Sequence, residues 1–406
     1  MAILIIGTLD TKGREIAYLR DRIAALGGQP LVLDSGILGE PLDIVPDITR
    51  TEVALAAGSS LDALRAAGTR GAAVAGMRVG VRRVALDLFA AGRLEGIVTL
   101  GGAEGAVLGA YAMKALPIGV PKVIVTPIAS GKRTFGPLVG TRDILVMHSV
   151  IDILGLNPIS RAVFDNVAAA LVGMAAHGAA PLAGGPDGGR YVAMTMLGNT
   201  TAPVMQIKER LATQGWEAVI FHSNGVGGPA MEELAELGMF AGVIDFTTDE
   251  LSDQTFGGFH QGGTARLERV GALGLPQVVV PGCIDFTVHG PRDEVPDRLR
   301  DRPAYFHNPE FTLVRLTADE MAQIGTLMAR KLNAASGPLV VVVPTEGLSI
   351  PNTPGGVFWD PAADAAFLAA LRADLRAAIP LHLIAAHINS PAFADRVADE
   401  FLHLLA

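Results

Sequence analysis

Along this chain, short runs of Ile, Val and Leu with hardly a polar break alternate with longer stretches in which apolar residues recur every three or four positions. Continuous apolar runs of five or six residues mark strands buried on both faces, and the 3.6-residue recurrence marks helices laid against them. In the first half the pattern predicts strands at 2–6, 30–33, 96–100 and 122–126, with short ones near 72–74 and 137–139. Helices are expected over 12–26, 81–91, 105–115 and 158–176. A Gly/Pro-rich stretch at 178–189 interrupts the alternation and reads as a domain boundary. Beyond it the pattern restarts, with strands at 191–197, 218–221, 243–245, 277–280, 339–343 and 381–384. Helices follow at 202–213, 229–237, 265–271, 318–333, 362–378 and 391–404. The expected fold is α/β: two Rossmann-like three-layer domains, 1–180 and 190–406, with mostly parallel sheets and an interdomain cleft.

Composition narrows the function classes. At 406 residues the chain exceeds what one core organises well, which agrees with two domains. A net charge of −9 argues against nucleic acid as a partner, because phosphate backbones reward basic faces. The single cysteine, Cys283, leaves no disulfide within one chain and suits a reducing compartment, so a cytoplasmic location is expected. The apolar start at 2–6 is shorter than a signal sequence core and is followed by Asp10, so it reads as the first strand. No apolar run reaches the ~18 residues of a membrane span, and no membrane partner is expected.

In open α/β sheets ligands bind beyond the carboxyl ends of the strands, so the loops there carry the candidate chemistry. Three strands run into glycine-rich, hydroxyl-containing turns that open helices. They are Gly7-Thr8-Leu9-Asp10-Thr11-Lys12-Gly13, Gly101-Gly102-Ala103-Glu104-Gly105 and His222-Ser223-Asn224-Gly225-Val226-Gly227-Gly228. Bare N–H groups at a helix start favour a phosphate or carboxylate, so the three together point to an anionic small molecule as partner. In the first turn, Thr8 and Thr11 suit phosphate oxygens, Lys12 supplies charge and Asp10 suits a hydrated Mg²⁺. The alternative is that Asp10 or Thr11 caps the helix and Lys12 stays in solvent. The second turn sits where phosphate loops sit, yet it matches neither Gly-x-Gly-x-x-Gly nor the P-loop, and Glu104 adds a negative charge; a tight structural turn is its alternative. Ser130, Gly131, Lys132 and Arg133 suit a cationic lid closing over a ligand.

The second half holds the reactive side chains: His222, Asp245, Asp285, His289, His307 and Glu346 lie at or just beyond predicted strand ends. His222, Asp245 and His307 are the candidate catalytic acid–base set. No compact spacing such as His-x-x-x-His supports zinc. Cys283, at a Pro-Gly turn after a strand, is either a nucleophile or a small buried hydrophobe. Without a Gly-x-Ser-x-Gly elbow, a serine hydrolase of that kind has no support.

Several motifs resemble one family in order along the chain. They are Gly7-Thr8-Leu9-Asp10-Thr11-Lys12, Ala129-Ser130-Gly131, Val139-Gly140-Thr141-Arg142-Asp143-Ile144 and Ser149-Val150-Ile151-Asp152-Ile153-Leu154-Gly155-Leu156-Asn157. Phe221-His222 with Gly225-Val226-Gly227-Gly228, Asp245-Phe246-Thr247-Thr248, Pro281-Gly282-Cys283-Ile284-Asp285, His307-Asn308-Pro309 and His387-Ile388-Asn389 continue the likeness. The chain thereby resembles the uncharacterised bacterial and fungal family named for the ATP-binding domain of a tomato mosaic virus resistance protein. The resemblance implies a Rossmann-like first domain binding ATP and Mg²⁺, a second α/β domain and a homodimer. Gly7, Thr8, Asp10, Thr11, Lys12, Gly101, Gly102, Gly105, Ser130 and Gly131 would then hold the nucleotide, with Asp10 on the metal. Three functions follow as expectations. The first is a nucleotide-binding protein that also takes a small anionic ligand in the cleft. The second is a nucleotide-independent lyase or hydrolase of a carboxylated or phosphorylated metabolite, and the third an interaction protein stabilised by nucleotide.

Overall fold

The computed structural model describes residues 1–130, 138–182 and 190–405, apart from the side chains of Arg70 and Ser130. The chain divides into two compact units, Met1–Ala183 and Gly184–Ala406.

Unit 1 runs β1 (Ala2–Gly7), α1 (Leu9–Ala25), β2 (Gln29–Asp34), α2 (Arg50–Ala56), α3 (Leu61–Arg65), α4 (Arg70–Ala90), β3 (Gly96–Leu100), α5 (Ala103–Met113), β4 (Lys122–Thr126), β5 (Leu145–His148) and α6 (Pro158–His177). Its five strands are all parallel, in the order β2-β1-β3-β4-β5. Successive side chains of a strand point to opposite faces, so each apolar run feeds two cores. Ile3 and Ile5 pack with Ile16 and Leu19 of α1 and Phe164 and Leu171 of α6. Leu4 and Ile6 pack on the other face with Met77 and Val81 of α4 and Leu108 of α5.

Two short strands expected here are not formed. Residues 72–74 lie inside α4, where Ala73, Met77, Val81, Ala85 and Leu88 are buried at helical spacing. The Thr69 hydroxyl caps that helix by accepting the Ala72 N–H at 3.1 Å. Of 137–139, the first residue lies outside the described residues and the others form a turn. The sheet instead gains β5 at its edge, on the four-residue apolar run at 144–147 between Asp143 and His148. Among the described residues, α6 is long and apolar enough to cross a membrane by length and composition. In the fold its Val167, Ala168 and Leu171 are fully buried against the sheet and α1.

Unit 2 runs β6 (Tyr191–Met196), α7 (Thr201–Thr213), β7 (Glu217–His222), α8 (Gly227–Glu236), β8 (Gly242–Thr247), α9 (Glu250–Phe256), α10 (Arg269–Ala272) and β9 (Gln277–Gly282). There follow β10 (Phe286–His289), β11 (Ala304–Asn308), β12 (Phe311–Arg315), α11 (Ala318–Leu332), β13 (Leu339–Pro344), α12 (Pro361–Asp374), β14 (Leu381–Ile384) and α13 (Pro391–Leu404). The main sheet is six parallel strands in the order β14-β13-β9-β8-β6-β7. Its winding repeats that of unit 1 with one strand added. A small antiparallel sheet, β10-β12-β11, is inserted before α11 and was not expected from the pattern. Helices α7 and α13 cover one face over Met194, Ile244 and Val342, while α11 and α12 cover Val279, Val341 and Val343 on the other. In both units the strand order reverses between the first and third strands, β1/β3 and β6/β8. Doubly wound sheets bind ligands outside the carboxyl ends of the strands at that reversal.

Candidate functional site

At the reversal in unit 1 lies a cavity of about 600 Å³. Thr8, Asp10 and Thr11 line it from the turn after β1 and the start of α1, Ser35 and Gly36 from the turn after β2, and Glu104 and Gly105 from the first turn of α5. Leu38, Ala66, Val74 and Leu108 give it an apolar lining, and Arg65 contributes a cation. Arg65 is fixed there because its Nε donates to the Ile37 carbonyl at 2.8 Å.

The two helix starts beside the cavity differ. At α1 the Leu9 N–H donates to Asp34 Oδ1, and those of Thr11 and Lys12 go to the Thr8 carbonyl. At α5 the N-cap is Gly102, which has no side chain to cap with. The N–H groups of Ala103 and Gly105 have no partner among the described residues, and bonding begins with the Ala106 N–H on the Gly102 carbonyl. Among the described residues, then, nothing caps the start of this 11-residue helix, which borders the cavity. It is the place where an anion is best accepted. The Thr8 and Thr11 hydroxyls sit 2.8 Å apart and the Thr11 hydroxyl also lies 3.2 Å from the Thr8 carbonyl, so at most one of their two protons is left for a ligand while acceptor capacity remains. Asp10 Oδ2 accepts the Gly39 N–H at 3.0 Å.

Of the residues the sequence offered for a ligand, Thr8, Asp10, Thr11 and Gly105 line the cavity, whereas Lys12 does not. Its ammonium donates to the Ile153 carbonyl, and the backbone of α1 departs from helical geometry at that residue. Gly7 closes β1, and Gly101 packs so tightly that a Cβ there would lie 2.8 Å from the Gly105 Cα. The Ser130 side chain and Gly131, with Lys132 and Arg133, lie outside the described residues. Among the described residues, no group of three or more His, Cys, Asp and Glu side chains is placed to hold a metal. The sequence reading missed Arg65 and the apolar lining, because they come from α3 and its end, α4, α5 and the loop after β2 and carry no motif.

In unit 2 the third glycine turn is filled by the protein's own anion. Glu250 Oε1 accepts the N–H groups of Gly225 and Gly228 at 2.8 and 3.2 Å, and Arg266 Nε donates to Glu250 Oε2 at 2.5 Å. Arg266 also donates to both oxygens of Asp245, at 2.5 and 2.7 Å, and to Glu232 at 3.3 Å. Asp245, expected at an open acid–base centre, is therefore sealed beneath the strand ends, 2% exposed, with Thr195 as a further donor. A carboxylate on a central strand stays buried only when a cation and hydroxyls satisfy it, and Arg266 supplies that charge. Burial, opposed by Arg266, pushes Glu232 up to about 7.

His222 ends β7 and is exposed. Partial burial of its ring, then the charge of His260, lower its pKa against the pull of Asp249. His307 is exposed on β11 and lies against the turn after β6, where a Cβ on Gly198 would stand 3.9 Å from its Cε1. Asp285 is buried with Ser349 as donor at 2.8 Å, and burial pushes it up to about 6. His289 is buried in β10 beside Thr287, and burial followed by the charge of Arg298 lowers it to about 4. Glu346 is exposed beyond β13. Cys283 is fully buried, and burial, then Asp249 and Asp285, push its thiol far up, which holds it protonated and unreactive.

Residues 1–180 match the uncharacterised protein family (UPF0261) N-terminal domain, and residues 190–405 its C-terminal domain. The chain belongs to the UPF0261 family. A UPF0261 protein of Clostridium tetani is 37% identical over 404 residues, covering 99% of this chain and 98% of that one. The ToMV resistance protein Tm-1(GCR237) of Solanum lycopersicum is 34% identical over 340 residues, which is 82% of this chain and 45% of that longer protein. A Methanocaldococcus jannaschii UDP-GlcNAc 2-epimerase structure aligns over 69% of this chain and 83% of its own at 10% identity, with a TM-score of 0.22, too slight to carry an argument.

Proposed function

We propose that unit 1 binds ATP as its Mg²⁺ complex in the cavity beside β1, β2 and β3. The observation that carries this reading is the uncapped start of α5 bordering a 600 Å³ space at the reversal of a doubly wound sheet. The size suits a nucleotide-scale ligand, and the lining divides as a nucleotide requires. Leu38, Ala66, Val74 and Leu108 offer an apolar wall for a base, and Thr8, Thr11 and α5 offer donors for phosphate. Asp10 would repel a bare polyphosphate. It suits one that arrives with a divalent cation, since Mg²⁺ is commonly held by one or two carboxylates and the phosphates themselves. Bound Mg²⁺ would supply charge neutralisation at the phosphates. The chain's own part is to orient them by Thr8, Thr11 and the N–H groups of Ala103 and Gly105. ATP as the nucleotide is what the motif resemblance implies.

The test is titration calorimetry of the whole chain with ATP, with and without Mg²⁺, repeated on Gly102→Asp. The backbone at Gly102 has φ −67°, and a side chain there would meet no atom within 4 Å. Asp is also a favoured N-cap, so the variant keeps the fold while placing a carboxylate where phosphate would sit. Saturable binding that needs Mg²⁺ and weakens at least tenfold in the variant is the expected result. No heat at millimolar ATP sinks the proposal, and unchanged binding by the variant moves the nucleotide away from α5.

A further inference from the structure

The reversal in unit 2, between β6 and β8, carries a different set of groups. Asp249 stands two residues beyond β8 and is fully buried. Its Oδ2 lies 2.8 Å from Nδ1 of His260, while Oδ1 has no hydrogen-bond partner among the described residues. His260 is held from behind as well. Asp253 Oδ2 accepts its backbone N–H at 2.6 Å, and Asp253 Oδ1 accepts that of Val288 at 2.9 Å. The turn that follows His222 packs against it, since a Cβ on Gly225 would fall 2.9 Å from the His260 carbonyl carbon. The His260 ring keeps 9% of its side-chain surface, and its Nε2 is bonded to no described residue. One ring nitrogen is thus fixed by a buried carboxylate and the other is free, which is the arrangement of an imidazole oriented for proton transfer.

We propose that His260, oriented by Asp249, and His222 at the end of β7 form an acid–base pair at the reversal of the second sheet, serving a small molecule whose carbonyl or ester oxygen becomes negatively charged. The inference concerns unit 2 alone and does not rest on nucleotide binding by unit 1. Groups facing the pair divide the roles. Burial opposes charge on His260, but the hydrogen bond and charge of Asp249, with Asp253 and Glu250 behind it, win and raise its pKa. His222 is lowered, as burial and His260 outweigh Asp249. Two imidazoles pushed apart in this way hold one proton acceptor and one donor together near the ordinary imidazole range of about 6.5. In the step, neutral His222 takes a proton from an attacking water as its oxygen bonds to the carbonyl carbon. The leaving oxygen, as its bond to that carbon breaks, takes the proton from His260 Nε2. Water then returns His222 and His260 to their starting states by proton exchange, so no oxidant or co-reactant is needed.

The experiment uses the full chain without nucleotide and 4-nitrophenyl acetate as probe, with the rate of nitrophenolate release followed from pH 5 to 8.5. The wild type is expected to show a bell, rising as His222 loses its proton and falling as His260 loses its own. His222→Gln, at an exposed position, should keep the wild-type melting temperature and lower the peak rate at least tenfold. Asp249→Asn should move the falling limb to lower pH, an effect that a purely structural carboxylate would not produce. A folded His222→Gln that hydrolyses the ester at the wild-type rate overturns the proposal, as does a falling limb that Asp249→Asn leaves in place.

Discussion

Single residues in this protein are read correctly only when their partners are known. Asp245 and His222 both stand at or near strand ends, yet one is locked by Arg266 and the other is open. Glu232 illustrates what such burial does to stability. Its folded pKa, about 7, lies above the ordinary glutamate value of 4.5, so between those values the native state holds a proton that the unfolded chain has released. Its contribution is therefore fully present below about pH 4.5 and is lost as pH rises through 7, an effect of roughly 3 kcal/mol. Glu232→Gln keeps an oxygen to accept the Leu267 N–H and Arg266 Nη1 while removing the titration. Melting temperatures of the variant should fall less steeply between pH 5 and 7 than those of the wild type. Asp253, raised to about 7 by burial, and Asp285 will leave a residual slope. An unchanged slope would mean that Glu232 does not titrate in this window.

At the level of elements, packing distances decide what the apolar pattern leaves open. The amphipathic α11 announces itself by its period and by the capping box of Thr317 and Glu320, whose backbone N–H donates to the Thr317 hydroxyl at 3.3 Å. Its partner is not announced. Gly325 lets α12 approach so closely that a Cβ would lie 2.4 Å from the Phe367 carbonyl oxygen. Gly325→Ala is accordingly expected to cost about 1–3 kcal/mol in urea unfolding, against the small gain that Ala brings to an exposed helix. A neutral or stabilised variant would show that the helix pair yields at this contact. The same dependence on partners explains why residues 72–74 read locally as a strand but continue a helix: only burial of Ala73 and Met77 on one face reveals the longer period.

On the scale of the whole molecule, each unit has its own sheet and its own cores on both faces, and the cavity is lined from unit 1 alone. A chain ending at residue 182 should therefore fold cooperatively and bind ATP·Mg²⁺ as the full chain does, measured by the same calorimetry. Loss of binding by a folded fragment would show that unit 2 contributes to the nucleotide site. The repeated winding of the two sheets was only faintly legible, because strand order is not written in local pattern. The six-stranded sheet and the five-stranded one share it while their sequences share little beyond a strand, a Gly-Thr or Gly-Asn-Thr turn and a helix.

The sequence by itself determined the α/β class and most of the parallel strands, because burial on both faces writes continuous apolar runs. It also placed Thr8, Asp10, Thr11 and Gly105 on a common edge, since loops after parallel strands must emerge together. Tertiary structure alone decided which glycine turn stays open. Among the described residues Gly102 begins α5 without a cap, whereas the N–H groups of Gly225 and Gly228 are satisfied by Glu250 from 25 and 22 residues away. It likewise paired Asp249 with His260 and left His307 on a separate strand, because hydrogen-bond partners are chosen in space and leave no period or motif in the chain.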